Sequence, residues 1–353
     1  MTETDVALRG ATATLSDDGV RDGEALLRVE DLSIQFRSPR GSWTTIVENV
    51  SFGVNPGETL GIVGESGSGK SVSALACLGL IPAVGGRVSS GRVTLAGRDV
   101  LTMSRSELDR IRGGTIGMIF QQPTRSLNPA FQVGDQIAET VRRHLRLSRK
   151  NARARAVEWL DRVGIHHAEK RSRNYPHQFS GGEAQRIMIA IALSCNPKIL
   201  IADEPTTALD VTVQDRILRL IADLKEELGL GVILVSHDLG VIVESSSRIG
   251  VMYAGQVVEQ GATRDILRRP AHPYTQGLIR SAPQGDGSRL VSIPGTIPRF
   301  DDLPSGCRFH PRCPLSVEGL CTTEPITLES RDSTERLCRC VRTSETLTIG
   351  GVR

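Results

Sequence analysis

Three short apolar runs stand out along the chain: Leu60-Gly61-Ile62-Val63, Ile199-Leu200-Ile201-Ala202 and Val232 to Val235. Continuous apolar runs of this length read as strands buried on both faces, as in a parallel sheet. Between and after the second and third runs, strand and helix patterns alternate from Ile199 to Val258, the order a parallel sheet requires. Leu27 to Phe36 and Ile46 to Val54 instead alternate apolar with polar, which predicts a small antiparallel sheet. Arg92 to Leu101 continues as strand and turn, with Ala96-Gly97-Arg98-Asp99 as the turn, and Ser106 to Arg112 reads as a short helix. Helical periodicity dominates from Asn128 to about Ser194, over Val133 to Leu145, Asn151 to Val163 and Gly182 to Cys195. Residues 1–24 are polar and rich in Ala, Thr, Gly and Asp, and are expected to be poorly ordered.

The junctions of these elements carry the chemistry. Gly64-Glu65-Ser66-Gly67-Ser68-Gly69-Lys70-Ser71 separates the first apolar run from a helix expected over Ser71 to Leu80. Glycines let the backbone bend around an anion, and the loop N–H groups and helix N-terminus then face phosphates. In such a loop Lys70 reaches the β- and γ-phosphates of a nucleotide, and the Ser71 hydroxyl ligates Mg²⁺. The second apolar run ends in Asp203-Glu204, at the strand end where open α/β sheets bind ligands. Asp203 is expected to hold Mg²⁺ through water and Glu204 to act as general base.

Composition narrows the picture. The 353 residues allow one large domain and an appendage. With 43 basic against 40 acidic residues there is no basic stripe, which argues against nucleic acid as a partner. No apolar stretch approaches the roughly 20 residues needed to span a bilayer, and the acidic N-terminal segment does not read as a signal peptide. The run Arg142, Arg143, Arg146, Arg149, Lys150, Arg153 and Arg155 is expected to be a solvated helix face.

Phe179-Ser180-Gly181-Gly182-Glu183 closely resembles the signature motif of ATP-binding cassette (ABC) ATPases. Gln121, within Phe120-Gln121-Gln122-Pro123, resembles the family's Q-loop glutamine, Thr207 to Asp210 its D-loop, and His237 its switch histidine. The resemblance covers residues 26–282 and implies an α/β fold with a RecA-like parallel core, an antiparallel β subdomain and a helical subdomain at about 124–197. The cassette is thus expected over 25–285 and a Cys-rich extension over 286–353. The family pairs two cassettes head to tail, with each ATP between the phosphate loop of one and the signature of the other. Ser180, Gly181, Gly182 and Glu183 would then contact nucleotide in trans, while Gln121 would ligate Mg²⁺ and His237 would contact the γ-phosphate. Glu183 and Ala184 stand where the family most often has Gln and Arg. The adenine-stacking aromatic is Phe36 or Trp43, because the insert Arg37 to Ser42 blurs the register.

Arg269 to Leu278, Ile293 to Pro298 and Gly306 to Pro314 resemble stretches of the ATPase subunits of oligopeptide/dipeptide importers. That resemblance implies several partners: a second, paralogous cassette, two transmembrane permease subunits and, through the complex, an extracytoplasmic solute-binding protein. It also implies peptide as the solute and the cytoplasmic face of the membrane as the location. Two alternatives remain: an importer of nickel or another small solute, and a soluble ABC ATPase of repair or translation. The coiled-coil or zinc-hook insertions of repair members and the fused cassettes of translation members are absent from this sequence.

Cys77 and Cys195 lie in apolar helical patterns and read as buried small hydrophobes. Cys307, Cys313, Cys321, Cys338 and Cys340 crowd into 34 residues of a segment poor in aliphatics, and in a reducing compartment such a cluster points to metal. The intervals of five, seven, and sixteen or eighteen residues differ from the close Cys pairs of zinc sites. Iron–sulfur, zinc and free thiols all remain open on the residues alone. Some family members carry a [4Fe–4S] cluster in the equivalent tail, which implies Cys307, Cys313, Cys321 and Cys340 as ligands, with Cys338 as the alternative fourth.

Overall fold

The computed structural model describes residues 25–38, 41–207, 209–282, 292–330, 335–344 and 346. The expected disorder of residues 1–24, and Ala208 of the D-loop, lie outside the described residues.

Strands β1 (Leu27–Arg37), β2 (Trp43–Val54), β4 (Gly86–Leu95) and β5 (Arg98–Asp99) form an antiparallel sheet in the order β2-β1-β4-β5. The larger sheet has eight strands, in the order β11-β12-β10-β9-β3-β8-β7-β6. These are β3 (Thr59–Val63), β6 (Ile116–Ile119), β7 (Ile199–Asp203), β8 (Gly231–Ser236), β9 (Arg248–Tyr253), β10 (Gln256–Ala262), β11 (Glu329–Ser330) and β12 (Leu337–Cys338). From β6 to β9 every pairing is parallel. Alternate residues of its strands enter two different cores. Val63, Leu200, Ala202, Val232 and Leu234 face the core shared with the helices, whereas Leu60, Ile62, Ile199, Ile201 and Ile233 face the core under the antiparallel sheet. Two-sided burial is why these strands read as unbroken apolar runs.

Helices Val133–Leu145, Arg149–Arg162 and Gly181–Leu193 pack around Trp159, Leu160 and Ile187 as the helical subdomain. The expected solvated basic face holds for Arg142, Arg143, Arg146, Arg149, Lys150 and Arg153, which are exposed. Arg155 departs from it. Its guanidinium is buried and donates to the Ser194 carbonyl at 3.2 Å and to Asn196 Oδ1 at 2.9 Å, supplying the partners a buried cation needs.

The parallel pattern expected through Val258 ends one strand early. β9 and β10 form a hairpin through Ala254 (φ 43°) and Gly255 (φ 84°), so β10 is antiparallel. The Cys-rich tail then joins the same sheet. β12 pairs with β10, placing Cys338 opposite Glu259, and Phe309 enters the larger core. Among the described residues no helix is long and apolar enough to cross a membrane.

Candidate functional site

The phosphate loop leaves the end of β3 and enters the helix Lys70–Ala76. Gly67 and Gly69 take positive φ of 82° and 101°, conformations that disfavour any side chain. Gly64 is needed for a different reason: a Cβ there would stand 2.1 Å from the Met252 carbonyl oxygen. Lys70 is buried and donates to the Gly64 and Glu65 carbonyls at 2.7 and 3.0 Å. Burial lowers its pKa, opposed by the nearby carboxylates of Glu204, Asp203 and Glu65. Ser68 Oγ is buried inside the loop with no hydrogen-bond partner.

Across the strand ends, Ser71 Oγ donates to Asp203 Oδ1 at 2.9 Å. Burial raises the Asp203 pKa against the pull of that hydrogen bond. Glu204 follows at φ 48°, a strained conformation for a non-glycine residue, held by its own N–H bonding to the Val235 carbonyl at 2.9 Å. Three side chains converge on its carboxylate. Gln121 Nε2 donates to Oε2 at 2.7 Å, Thr207 Oγ1 to the same oxygen at 2.8 Å, and His237 Nδ1 lies 3.2 Å from Oε1. Burial alone would raise the Glu204 pKa. The bonds from Thr207, His237 and Gln121 outweigh it and hold the carboxyl below the usual range. The site therefore keeps Glu204 ionised and able to accept a proton from water, beside a Ser71/Asp203 oxygen pair suited to a hard divalent cation.

Ser180 and Gly181 are exposed at the start of the helix Gly181–Leu193. Here Glu183 has a local role. Its Oε2 accepts from the Ser180 backbone N–H at 3.0 Å, Ser180 Oγ accepts from the Glu183 N–H at 3.3 Å, and Arg171 binds its other oxygen. This capping box, completed by Arg171, brings the Glu183 pKa down to about 2. Within this chain the Glu183 carboxylate binds its own helix end and Arg171.

Of the two aromatic candidates, Phe36 packs with the core under the antiparallel sheet, its ring beside Gly86 and Ile81. Trp43, opposite Arg37 in the β1–β2 pairing, carries the Arg87 guanidinium 4.1 Å above its ring.

The segment Arg269 to Leu278 shows no catalytic logic in the sequence, yet it touches the phosphate loop. Tyr274 Oη accepts from the Glu65 backbone N–H at 2.9 Å. The Ala271 and His272 N–H groups donate to the fully buried Glu259 at 2.8 and 2.9 Å. Arg312 meets the Glu65 carboxylate at 3.1 Å. The signals that would have found Tyr274 and Arg312 are not local: they lie 209 and 247 residues from Glu65.

All seven cysteines are free thiols, and Cys77 and Cys195 are buried as expected. Cys307, Cys313, Cys321 and Cys340 line one small cavity with Phe309, Leu315 and Ile326. Cys338 is absent from that lining and faces Glu259 across the β10–β12 pairing. Burial pushes the thiols of Cys307, Cys313 and Cys340 up to about 11. Backbone N–H groups point at the sulfurs; that of Arg342 reaches Cys340 Sγ at 3.4 Å. No group of three or more His, Cys, Asp or Glu that could hold a metal ion is present among the described residues.

A parallel sheet carrying a phosphate loop after β3, an ionised glutamate at the end of β7, two strands away, and a signature-like exposed helix start is the arrangement of an ABC ATPase. Residues 47–207 match the ABC transporter family model, and residues 258–321 match the oligopeptide/dipeptide transporter C-terminal region. The oligopeptide transport ATP-binding protein AppD of Bacillus subtilis is 47% identical over 317 residues, which is 89% of this chain and 96% of AppD. The putative peptide import ATP-binding protein BAB2_1052 of Brucella abortus is 50% identical over 303 residues, 85% of this chain and 91% of that protein. The dimeric post-hydrolysis structure of the ATP-binding cassette MJ0796, bound to ADP and Pi, is 30% identical with a TM-score of 0.59. It covers 67% of this chain and 99% of its own. The chain belongs to the ABC transporter family, as an ATP-binding subunit of the oligopeptide/dipeptide group, and it is an ATPase.

Proposed function

We propose that this chain is the ATP-driven motor of a peptide importer, working on the cytoplasmic face of the membrane with two permease subunits. A second, paralogous cassette completes its ATP sites, and a solute-binding protein delivers the peptide from outside. The observation that carries the reading is the match of residues 258–321 to the oligopeptide/dipeptide transporter region, together with relatives named for peptide import.

The chemistry follows from the residues. The amides around Gly67 and Gly69, with Lys70, would take the phosphates of ATP. Ser71, Asp203 and Gln121 would hold Mg²⁺, which would supply charge neutralisation on the phosphate oxygens. Glu204 accepts the proton of the attacking water, oriented by Thr207, Gln121 and His237. His237, exposed at the rim beside Glu204, would contact the γ-phosphate. Adenine would stack on Phe36 or on Trp43, the aromatics of the paired strands β1 and β2. Ser180 and Gly181, exposed at a helix N-terminus, with the half-buried Gly182 behind them, serve the partner cassette's ATP, with Glu183 fixing that helix end. Exposed Phe120 borders a groove with Leu80, Met118, His144 and Ile191, which receives a permease helix beside Gln121.

The tail residues fit a [4Fe–4S] cluster with Cys307, Cys313, Cys321 and Cys340 as ligands. Four thiols share one apolar-walled cavity, and those of Cys307, Cys313 and Cys340 receive backbone N–H bonds, surroundings of the kind that tune such clusters.

The test is reconstitution. The chain, its paralogue and the permease in liposomes should take up labelled peptide with ATP, while the isolated chain hydrolyses ATP weakly. Full activity from a monomeric chain, or uptake of metal ions but not peptide, would refute the reading.

A further inference from the structure

The phosphate loop is gripped from outside the nucleotide motifs. Its second residue, Glu65, is held at two points by the C-terminal third of the chain. The Glu65 N–H donates to Tyr274 Oη at 2.9 Å, and Arg312 Nη1 reaches both Glu65 carboxylate oxygens at 3.2 and 3.1 Å. Arg312 is itself fixed, with its side chain 5% exposed. Its Nε donates to the Pro294 carbonyl at 2.8 Å, and its guanidinium stands 5.7 and 5.9 Å from the rings of Tyr253 and Phe309. The Tyr253, Tyr274 and Phe309 rings pack against one another at 4.7 to 5.4 Å. A second strap lies beside the first. The Gly255 N–H donates to the Ser68 carbonyl at 2.9 Å, and Arg308 binds the neighbouring Ala254 carbonyl and Glu48. Arg308 and Arg312 belong to the turn that runs from Cys307 to Cys313.

We propose that Arg312 and Tyr274 are positioning residues for ATP, and that the cysteine-bearing turn is the anchor of the phosphate loop. A glycine-rich loop loses much conformational freedom when it closes on an anion, and fixing it beforehand removes that cost from binding. Charge adds a second effect. Glu65 lies close enough to act on the Lys70 ammonium, so its carboxylate also opposes an incoming polyphosphate. Arg312 neutralises it. The inference rests on residues 64–71 being the ATP phosphate site.

Nucleotide affinity and steady-state ATPase of the assembled complex test it. Arg312→Ala should raise Kd and KM for ATP about tenfold, the scale of one charge-assisted pair in a partly shielded site, with kcat within about twofold. Adding Glu65→Gln to Arg312→Ala should recover about threefold or more, because it removes the unpaired charge; a packing defect would not be relieved this way. Tyr274→Phe keeps the ring and loses only the acceptor of the Glu65 N–H, and should raise KM about threefold, one weak hydrogen bond. Unchanged Kd in a folded Arg312→Ala, or a double variant worse than Arg312→Ala, overturns the proposal. Should Arg312→Ala fail to fold, unchanged KM in Tyr274→Phe overturns it. Lys70→Ala separates the two readings: ATP binding retained at the wild-type level sinks the phosphate-loop assignment itself.

Discussion

Glu204→Gln is the sharpest probe of the catalytic arrangement, because the structure says what it leaves intact. The carboxylate accepts from Gln121 and Thr207 on Oε2 and faces His237 on Oε1. A glutamine whose carbonyl takes the Oε2 place keeps the Gln121 and Thr207 bonds. Its NH₂ then faces His237 Nδ1, which accepts when the ring is neutral. The φ of 48° is unchanged by an isosteric side chain. What is lost is the charge that accepts the proton from water. General-base contributions of roughly 10²- to 10⁴-fold set the expected fall in kcat, or about 3 to 5 kcal/mol of barrier. ATP affinity should stay within about threefold, since Lys70, Ser71 and Asp203 keep their places. One side effect has a definite sign. Glu204 is the strongest carboxylate influence raising the Lys70 pKa, so its neutralisation lets burial depress that pKa further. The assays are ATPase rate, equilibrium ATP binding and sedimentation, which should show ATP-trapped dimers with the partner cassette. Turnover within about threefold of wild type would remove Glu204 from the role.

Two further predictions follow from the signature helix and the tail. Glu183, its pKa lowered to about 2, stabilises the fold above its unfolded value near 4.5 and loses that contribution as pH falls through about 2. Glu183→Gln should therefore narrow the difference in melting temperature between pH 6 and pH 3, and an unchanged difference would refute the link. Anaerobically purified protein should be brown, with iron and sulfide each approaching four per chain, the Cys₄ cluster stoichiometry. Cys340→Ser should bleach it and Cys338→Ser should not. Colourless protein with one zinc per chain, or colour lost only in Cys338→Ser, would overturn that ligand set.

Much of this architecture is legible in the sequence because it is written locally. The helix Val133–Leu145 follows from its apolar stripe, and β3, β7 and β8 follow from two-sided burial. Residues 64–71, Asp203 and Glu204 are found because their spacing is fixed by one strand–loop–helix and one strand end. What escapes the sequence is set by pairs far apart along the chain. Arg155 reads as one more cation of an exposed run until Ser194 and Asn196 close over it. The contacts of Glu183 with Arg171 and the Ser180 N–H are likewise invisible in the motif, because Arg171 lies outside it. Thr207 is visible as part of a motif, but its bond to Glu204 needs the turn between them. The antiparallel β10 escapes because Val257, Val258 and Glu259 are all buried, so no alternation marks the change of direction.

The place of β12 has a consequence for how this protein can be cut. β10 is covered along its outer side by the tail: Cys338 and Leu337 pair with Glu259 and Gln260, and the Arg339 N–H and guanidinium bond the carbonyls of Val258 and Val257. A cassette ending near residue 285 would lose this cover and present an open, valine-bearing strand edge to other chains. Unprotected edges of that kind template strand addition. The tail thus shields this edge against strand addition, and its removal should favour self-association even where every nucleotide motif is kept.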